Sequence, residues 1–418
     1  IIKNEVLTLM KKLAYTVSAL TAALVISSPL AHAIDEQSSP VANVNKDGLD
    51  LSEQYNPKGM IVTNSNGQIL YNYHGNTSGD PASMTKLMTL YLTFDALEKN
   101  QIRKNQTIKM TDGDEKVSTL PNLSTFKLKK GQNYTVDEII KQMTLASSNP
   151  ATLILGRTIY GDTSKFTDHM NEKAKSIGMT HTHFTNPSGA PNELLKPYAP
   201  TKYQDESKTK TTSEDMSILV RSLLKKHPDV LQYTKLTQGK QYNQSFETTN
   251  LSLKGEPEDY KGTDGLKTGT SDEGYSLALT NNQNNLRLNA ILLDVNPFPS
   301  ETTKHVRNQI ANHMIDDLRK EYVYKKVVDK GVHKIDGKKV KIKKALYDTV
   351  PKDENKWNLK MNDQDQVYVS YPRHFIKGSH VPKVDTQIVG RSRKIVTVGC
   401  IVVLVVGGLV GLVKYKES

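Results

Sequence analysis

The sequence predicts an α+β domain over about residues 34–320, followed by a small β-rich domain over about 321–385. Two observations carry this expectation. Strand-like runs stand at both ends of the larger segment, near 60–73 and 262–294, with helical periodicity between them. Beyond residue 320 the helical pattern gives way to short β runs separated by turn signals.

The elements follow in chain order. Residues 34–56 are polar and read as a loose lead-in. Met60 to Thr63 and Gln68 to Tyr73 are β-rich runs joined by Asn64-Ser65-Asn66-Gly67, and Asn-Gly at that place signals a hairpin. From Ser83 to Asn100 the apolar residues Met84, Leu87, Met88, Tyr91, Phe94 and Leu97 recur at helical spacing. Thr135-Val136-Asp137-Glu138 forms a capping box for a helix to about Ala146. Asn149-Pro150 reads as the cap and first position of a further helix, so Ser147-Ser148-Asn149 falls in a turn between two helices. Thr163 to Ile177 is helical and stopped by Gly178, and Thr212 caps a helix to about Lys226. Strands are expected at Gly265–Thr270, Tyr275–Thr280 and Leu286–Asp294, with a turn at 281–284, then a helix over 301–320. In the small domain, Val332–Ile335 and Lys338–Ile342 flank Asp336-Gly337, a type I′ signal, and Val367–Val369 is another strand. Residues 386–394 read as a linker.

The two ends of the chain are read apart from the fold. Lys11-Lys12, the apolar run Leu20–Ile26 and Ala31-His32-Ala33 have the form of an export signal, assigned to residues 1–33. The chain opens with Ile1, and Met10 directly before Lys11 is a second possible start. Ile395 to Val413 carries no charge and would span roughly 28 Å as a helix, which suits a transmembrane anchor with a short cytoplasmic tail at 414–418. Together these place the domains on the outer face of the cell membrane. Cys400 is the one cysteine, so an intramolecular disulfide, a thiol nucleophile and a cysteine zinc site are excluded. The net charge is +12, but lysines are spread along the chain and no basic block interleaves with aromatics. Nucleic acid is therefore not expected as a partner, and a basic surface facing an anionic envelope is.

Three short motifs carry chemistry. Ser83-Met84-Thr85-Lys86 opens a helix, which puts Ser83 and Lys86 on one face at a positive helix end. A serine hydroxyl needs an adjacent base, and a desolvated lysine near other cations can serve. Ser147-Ser148-Asn149 offers a hydroxyl that can relay a proton and an amide that can hold a carbonyl. Lys267-Thr268-Gly269 offers a cation and a hydroxyl for a carboxylate, and Gly269 is expected to leave room for substrate along the strand edge. Each motif alone is common. All three in this order are the signature of penicillin-binding proteins and class A β-lactamases.

The chain further resembles the D-alanyl-D-alanine carboxypeptidases among the low-molecular-mass penicillin-binding proteins, in particular their C-terminally anchored type in Gram-positive cocci. The resemblance covers roughly residues 57–320. It rests on Pro81–Thr89, on MNEKAKSIGMTHTHFTNPSGA at 170–190, and on Thr263-Asp264-Gly265-Leu266-Lys267-Thr268-Gly269. It implies a serine β-lactamase/transpeptidase-like fold, with an antiparallel sheet flanked by helices and a helical subdomain. It implies Ser83 as the acylated nucleophile, Lys86 as its base and Ser147 as the proton shuttle. Asn149 would hold the substrate amide, Lys267 and Thr268 would receive the terminal carboxylate, and the N–H groups of Ser83 and Thr270 would form the oxyanion hole. Peptidoglycan stem peptides and β-lactam antibiotics are the implied partners, with no metal or other cofactor. Pro150 departs from the family, where a small residue is usual, and puts the presentation of Asn149 in question.

Transpeptidation uses the same motifs and is the second expectation. A β-lactamase is disfavoured because Glu193-Leu194-Leu195 lacks the E-x-x-L-N pattern, and a β-lactam sensor because five residues follow the anchor. His181 and His183 form an H-x-H on an expected strand without a third ligand nearby. Trp357 is expected in the core of the small domain, and Tyr260 and Tyr275 stay unassigned near the third motif.

Overall fold

A computed structural model describes residues 38–389. The expected export signal, the apolar run at 395–413 and the tail at 414–418 lie outside the described residues, as does most of the linker. Among the described residues no helix is long and apolar enough to cross a membrane.

The lead-in is more ordered than its composition suggested. Ser39 caps a short helix α1 (Pro40–Lys46), accepting a hydrogen bond from the Ala42 N–H. Val41 and Val44 are fully buried, so two apolar residues three apart suffice to dock it. The hairpin of β1 (Gly59–Asn64) and β2 (Gln68–Tyr73) forms as expected. Only Gly67 in its loop takes positive φ, and the Asn64 side-chain oxygen accepts from the N–H groups of Asn66 and Gln68. Asn-Gly thus closes a three-residue loop and not a two-residue turn.

A 3-10 turn (Ala82–Thr85) leads into α2 (Lys86–Glu98), so Ser83 precedes the α-helix instead of lying within it. A minor ribbon pairs β3 (Thr107–Lys109) with β4 (Asn133–Thr135), and α3 (Asp112–Val117) lies between them with its own capping box. The Thr135–Glu138 capping box opens α4 (Val136–Thr144). Ser148, one residue earlier than expected, caps α5 (Asn149–Tyr160), with Asn149 and Pro150 in its first turn. Helix α6 (Thr163–Ile177) stops at Gly178, whose φ is +98°. After α7 (Asn192–Leu195) come α8 (Ser213–Lys226), capped by Thr212, and α9 (Leu231–Thr234). The hairpin of β5 (Gln238–Gln241) and β6 (Gln244–Glu247) precedes the long strands β7 (Thr263–Ser271), β8 (Gly274–Gln283) and β9 (Leu286–Val295). Their turn sits at Asn284-Asn285, both at positive φ, and not at 281–284, because β8 pairs through Gln283.

The main sheet has the antiparallel order β2-β1-β9-β8-β7. Helix α10 (Glu301–Glu321) and α1 cover one face, where Met60, Val62, Leu277, Leu288 and Leu292 meet Val306, Ile310 and Met314. Ile61, Leu266, Ile291 and Leu293 point to the other face, against α8 and the helical lobe built from α2, α4, α5 and α6. Strand alternation therefore separates two cores, with the sheet between them.

The β-rich domain contains β10 (Tyr322–Val328), β11 (Gly331–Ile335), β12 (Lys338–Ile342), β13 (Leu346–Pro351), β14 (Asn358–Met361), β15 (Gln366–Ser370), β16 (His374–Phe375) and β17 (Lys383–Ile388). Asp336 and Gly337 both take positive φ, as the type I′ signal requires. Strand β17 pairs with both β12 and β15 and runs through Ile388, beyond the linker start expected at 386. A five-stranded sheet β11-β12-β17-β15-β14 encloses Ile335, Val340, Ile342 and Val367. Trp357 is half-buried there and donates its indole N–H to the Pro351 carbonyl. Strand β16 crosses back and adds to β2 at the edge of the main sheet. Asn64 Nδ2 donates to Thr349 Oγ1 at 2.9 Å, Gln68 Nε2 to the Tyr371 hydroxyl at 2.7 Å, and Ile376 is buried in the larger domain's core.

Candidate active site

The three motifs come from the helical lobe and the far edge of the sheet, and they converge. Ser83 stands at the turn before α2 and Lys86 at the first residue of that helix. Lys86 Nζ donates to Ser83 Oγ at 2.9 Å, to Asn149 Oδ1 at 2.6 Å and to the Ser188 carbonyl at 2.8 Å. The contact to Asn149 joins the first two motifs directly, so Pro150 leaves that side chain in reach of Lys86. Ser147 takes positive φ, and its buried hydroxyl has no hydrogen-bond partner. A buried, unpaired hydroxyl beside a cleft is costly unless a ligand completes it.

Lys267 lies on β7, the edge strand, with its ammonium near the Thr268 carbonyl at 3.1 Å. Thr268 shares a side-chain hydrogen bond with Thr249. At Gly269 a Cβ would lie 2.6 Å from the Pro81 carbonyl oxygen, so the glycine makes room for the chain just before Ser83.

A cation that sequence reasoning missed completes the site. Arg307, on α10, is buried and donates to the carbonyls of Gly269 at 3.0 Å and Ser276 at 3.2 Å. Its signal was readable. Thr303, Arg307, Ile310 and Met314 recur at helical spacing, so a cation occupies a core-facing stripe. Lys86, Lys267 and Arg307 have no ion pair to any described residue. Burial, then the neighbouring Lys267, holds Lys86 well below the usual lysine range. Burial, then Arg307, lowers Lys267 to about 7, and burial lowers Arg307 to about 10. Lys267 and Arg307, buried beside the Lys86 amine with no ion pair to a described residue, create a demand for an anion.

The cleft has two chambers that share Ser83, Ser124 and Thr270. One, of about 460 Å³, is lined by Ser147, Thr249, Thr268 and Arg307. The other, of about 570 Å³, is lined by Asn149, Leu123, Glu193, Lys208 and Phe298. Ser124 and Thr249 sit in irregular segments whose sequence gives no signal. Tyr275 is buried and accepts a hydrogen bond from the Ser300 N–H, while Tyr260 packs by α10, so neither lines the cleft. His183 makes an isolated bridge to Lys210 and a side-chain hydrogen bond with Glu206, and His181 is outside any strand.

Residues 51–297 match the family model Peptidase_S11, D-alanyl-D-alanine carboxypeptidase. The chain belongs to this family. It is thereby a serine carboxypeptidase of the penicillin-binding class, with the transpeptidase-like fold described above. Residues 324–387 match a second model, DUF1958, a domain of unknown function. Among curated relatives, D-alanyl-D-alanine carboxypeptidase DacF of Bacillus subtilis is 29% identical over 292 residues, covering 68% of each chain. DacC of Escherichia coli is 26% identical, over 56% of this chain and 55% of its own length. Among solved structures, a peptidoglycan synthesis regulatory factor (PBP3) from Streptococcus pneumoniae aligns at a TM-score of 0.69 and 23% identity. It covers 79% of this chain and 98% of its own. Penicillin-binding protein D2 of Listeria monocytogenes in its ampicillin-bound form aligns at 0.52 and 25% identity, over 62% of this chain and 96% of its own.

Proposed function

We propose that this enzyme removes the terminal D-alanine from peptidoglycan stem peptides through an acyl-enzyme on Ser83. The observation that carries the residue assignment is the 2.9 Å contact of Lys86 Nζ with Ser83 Oγ, made by a lysine that burial keeps easy to deprotonate. Neutral Lys86 takes the Ser83 proton as Oγ bonds to the carbonyl carbon of the D-Ala-D-Ala amide. The Ser83 and Thr270 N–H groups receive the developing oxyanion, at about 3 kcal/mol for each donor. The C–N bond then breaks, and Ser147 passes the proton to the departing amine. Asn149 commits its amide oxygen to Lys86, which leaves its N–H groups for the substrate amide. Lys267, Thr268 and Arg307 receive the terminal carboxylate: Thr268 and Arg307 line the first chamber, and Lys267 is the neighbour of Thr268 on β7. Water completes hydrolysis, and an amine in its place gives transpeptidation.

Penicillins carry the same carboxylate next to a reactive amide and enter this reading as acylating analogues; the ampicillin-bound relative supports it. The test is mass analysis of the Ser83 peptide after β-lactam treatment, where the drug's mass should appear. Label on another peptide, or none, defeats the assignment. Product analysis with a pentapeptide substrate then reads hydrolysis against cross-linking.

We further infer export by the signal at 1–33 and anchoring by the uncharged run 395–413, on the residue patterns alone. Deleting 395–413 should release active enzyme into the medium; enzyme that stays with the membrane fraction contradicts the anchor.

A further inference from the structure

The four residues before Ser83 are held on every side. Gly79 exchanges two backbone hydrogen bonds with Thr211. The Asp80 N–H donates to Asp294 Oδ2 at 3.2 Å, and the Asp80 carbonyl accepts from Ser276 Oγ at 3.3 Å. That same Ser276 Oγ accepts the Asp294 N–H at 3.0 Å. Asp80 Oδ1 accepts the N–H of Ala82 at 2.7 Å. Ala82 takes φ of +44°, a left-handed conformation that a residue with a Cβ rarely adopts.

Two further contacts hem in the same segment. A Cβ on Gly189 would lie 1.9 Å from the Ala82 carbonyl oxygen, and one on Gly269 would lie 2.6 Å from that of Pro81. The strained residue is therefore over-determined, as strain beside a reacting group must be if it is to persist.

The two aspartates are costly residues for this place. They are 3% and 2% exposed, and Asp294 itself takes positive φ. Burial, and the charge of Glu273, push both carboxyl groups up to about 6. Asp294 also feels the charge of Asp80. Lys58 lies 3.8 Å from Asp294 Oδ2 and also pairs with Glu273. Lys208 pairs with Asp272 and Glu273 and eases the charge on Asp80. Neither aspartate lines the cleft. A neutral serine or asparagine could accept the same backbone N–H at less desolvation cost, but a carboxylate makes the stronger bond.

We propose that Asp80 and Asp294 are a positioning pair for acylation. Asp80 fixes Ala82 in its left-handed turn, so that the Ser83 hydroxyl and N–H face the cleft, and Asp294 ties Asp80 to the end of β9. Neither touches substrate; both act through the backbone before Ser83.

The test measures β-lactam acylation of the whole enzyme by stopped flow, with the maximal acylation rate separated from the non-covalent dissociation constant. Asp80→Ala should lower the maximal rate by about 100-fold, the loss expected from misplacing a nucleophile by about 1 Å. The dissociation constant should stay within about threefold. Asp80→Asn keeps the acceptor without the charge and should recover most of the rate. It should also flatten one component of the pH profile. The wild-type to Asp80→Asn rate ratio should rise between pH 5 and 7, as the native carboxylate ionises; Lys267, lowered to about 7, is common to both and divides out. Asp294→Asn should act in the same direction. A normal maximal rate in Asp80→Ala, or a loss confined to the dissociation constant, overturns the proposal. If Asp80→Ala does not fold, Asp294→Ala, which removes the acceptor of the Asp80 N–H, decides in its place: a normal maximal rate there overturns the proposal.

Discussion

Replacing Lys267 with methionine should make this protein more stable and less active. Lys267 is 4% exposed, has no ion pair to a described residue, and its ammonium is lowered from 10.5 to about 7. A folded value below the unfolded one means that the unfolded chain binds more protons between those two limits. Stability therefore rises with pH across that window, and the burial penalty is fully present below about pH 7. At about 1.4 kcal/mol per unit, the penalty is ~4 kcal/mol at pH 7 and ~1 kcal/mol at pH 10. Methionine keeps the volume and carries no charge. Urea unfolding of both proteins from pH 6 to 10 should give Lys267→Met the higher midpoint, with a gap that narrows as pH rises. Its β-lactam acylation should fall, because the carboxylate loses a cation. A variant that is less stable than wild type, or a gap that ignores pH, would refute the argument that this lysine is held at the expense of stability.

Three other substitutions probe separate parts of the architecture. Lys86→Arg cannot supply a neutral base, whereas Lys267→Arg keeps a cation, so acylation rates should separate by at least ~100-fold in favour of the latter; equal losses would assign the base wrongly. Gly189→Ala forces a Cβ against the Ala82 carbonyl at a φ of +77°, and should depress both the melting temperature and the acylation rate; a wild-type rate would show that the turn before Ser83 tolerates movement. Asn64→Ala strands Thr349 and the N–H groups of Asn66 and Gln68, and should cost about 2 kcal/mol of unfolding free energy with little effect on acylation by a small β-lactam. An unchanged unfolding midpoint would mean that the junction between the domains is not held there.

The sequence alone determined the three motifs, most helix limits and the β character of the C-terminal part, because these depend on local signals. Caps at Thr135 and Thr212, the stop at Gly178 and the turn at Asp336-Gly337 are chosen by neighbours in the chain. Where local signals were weak or ambiguous, local reading failed: α1 has two apolar residues to announce it, and Ser148 competed with Asn149 for the cap. Tertiary structure decided what local signals cannot encode. It set Asn149 against Lys86, and placed Arg307 behind β7, 38 residues beyond its partner Gly269. It turned Gly269 toward the Pro81 carbonyl, and brought the aspartates at 80 and 294 together beside the segment that leads to Ser83. Each of these depends on distant segments sharing one buried volume. There a lysine's proton affinity or a glycine's purpose is set by whatever the fold packs beside it.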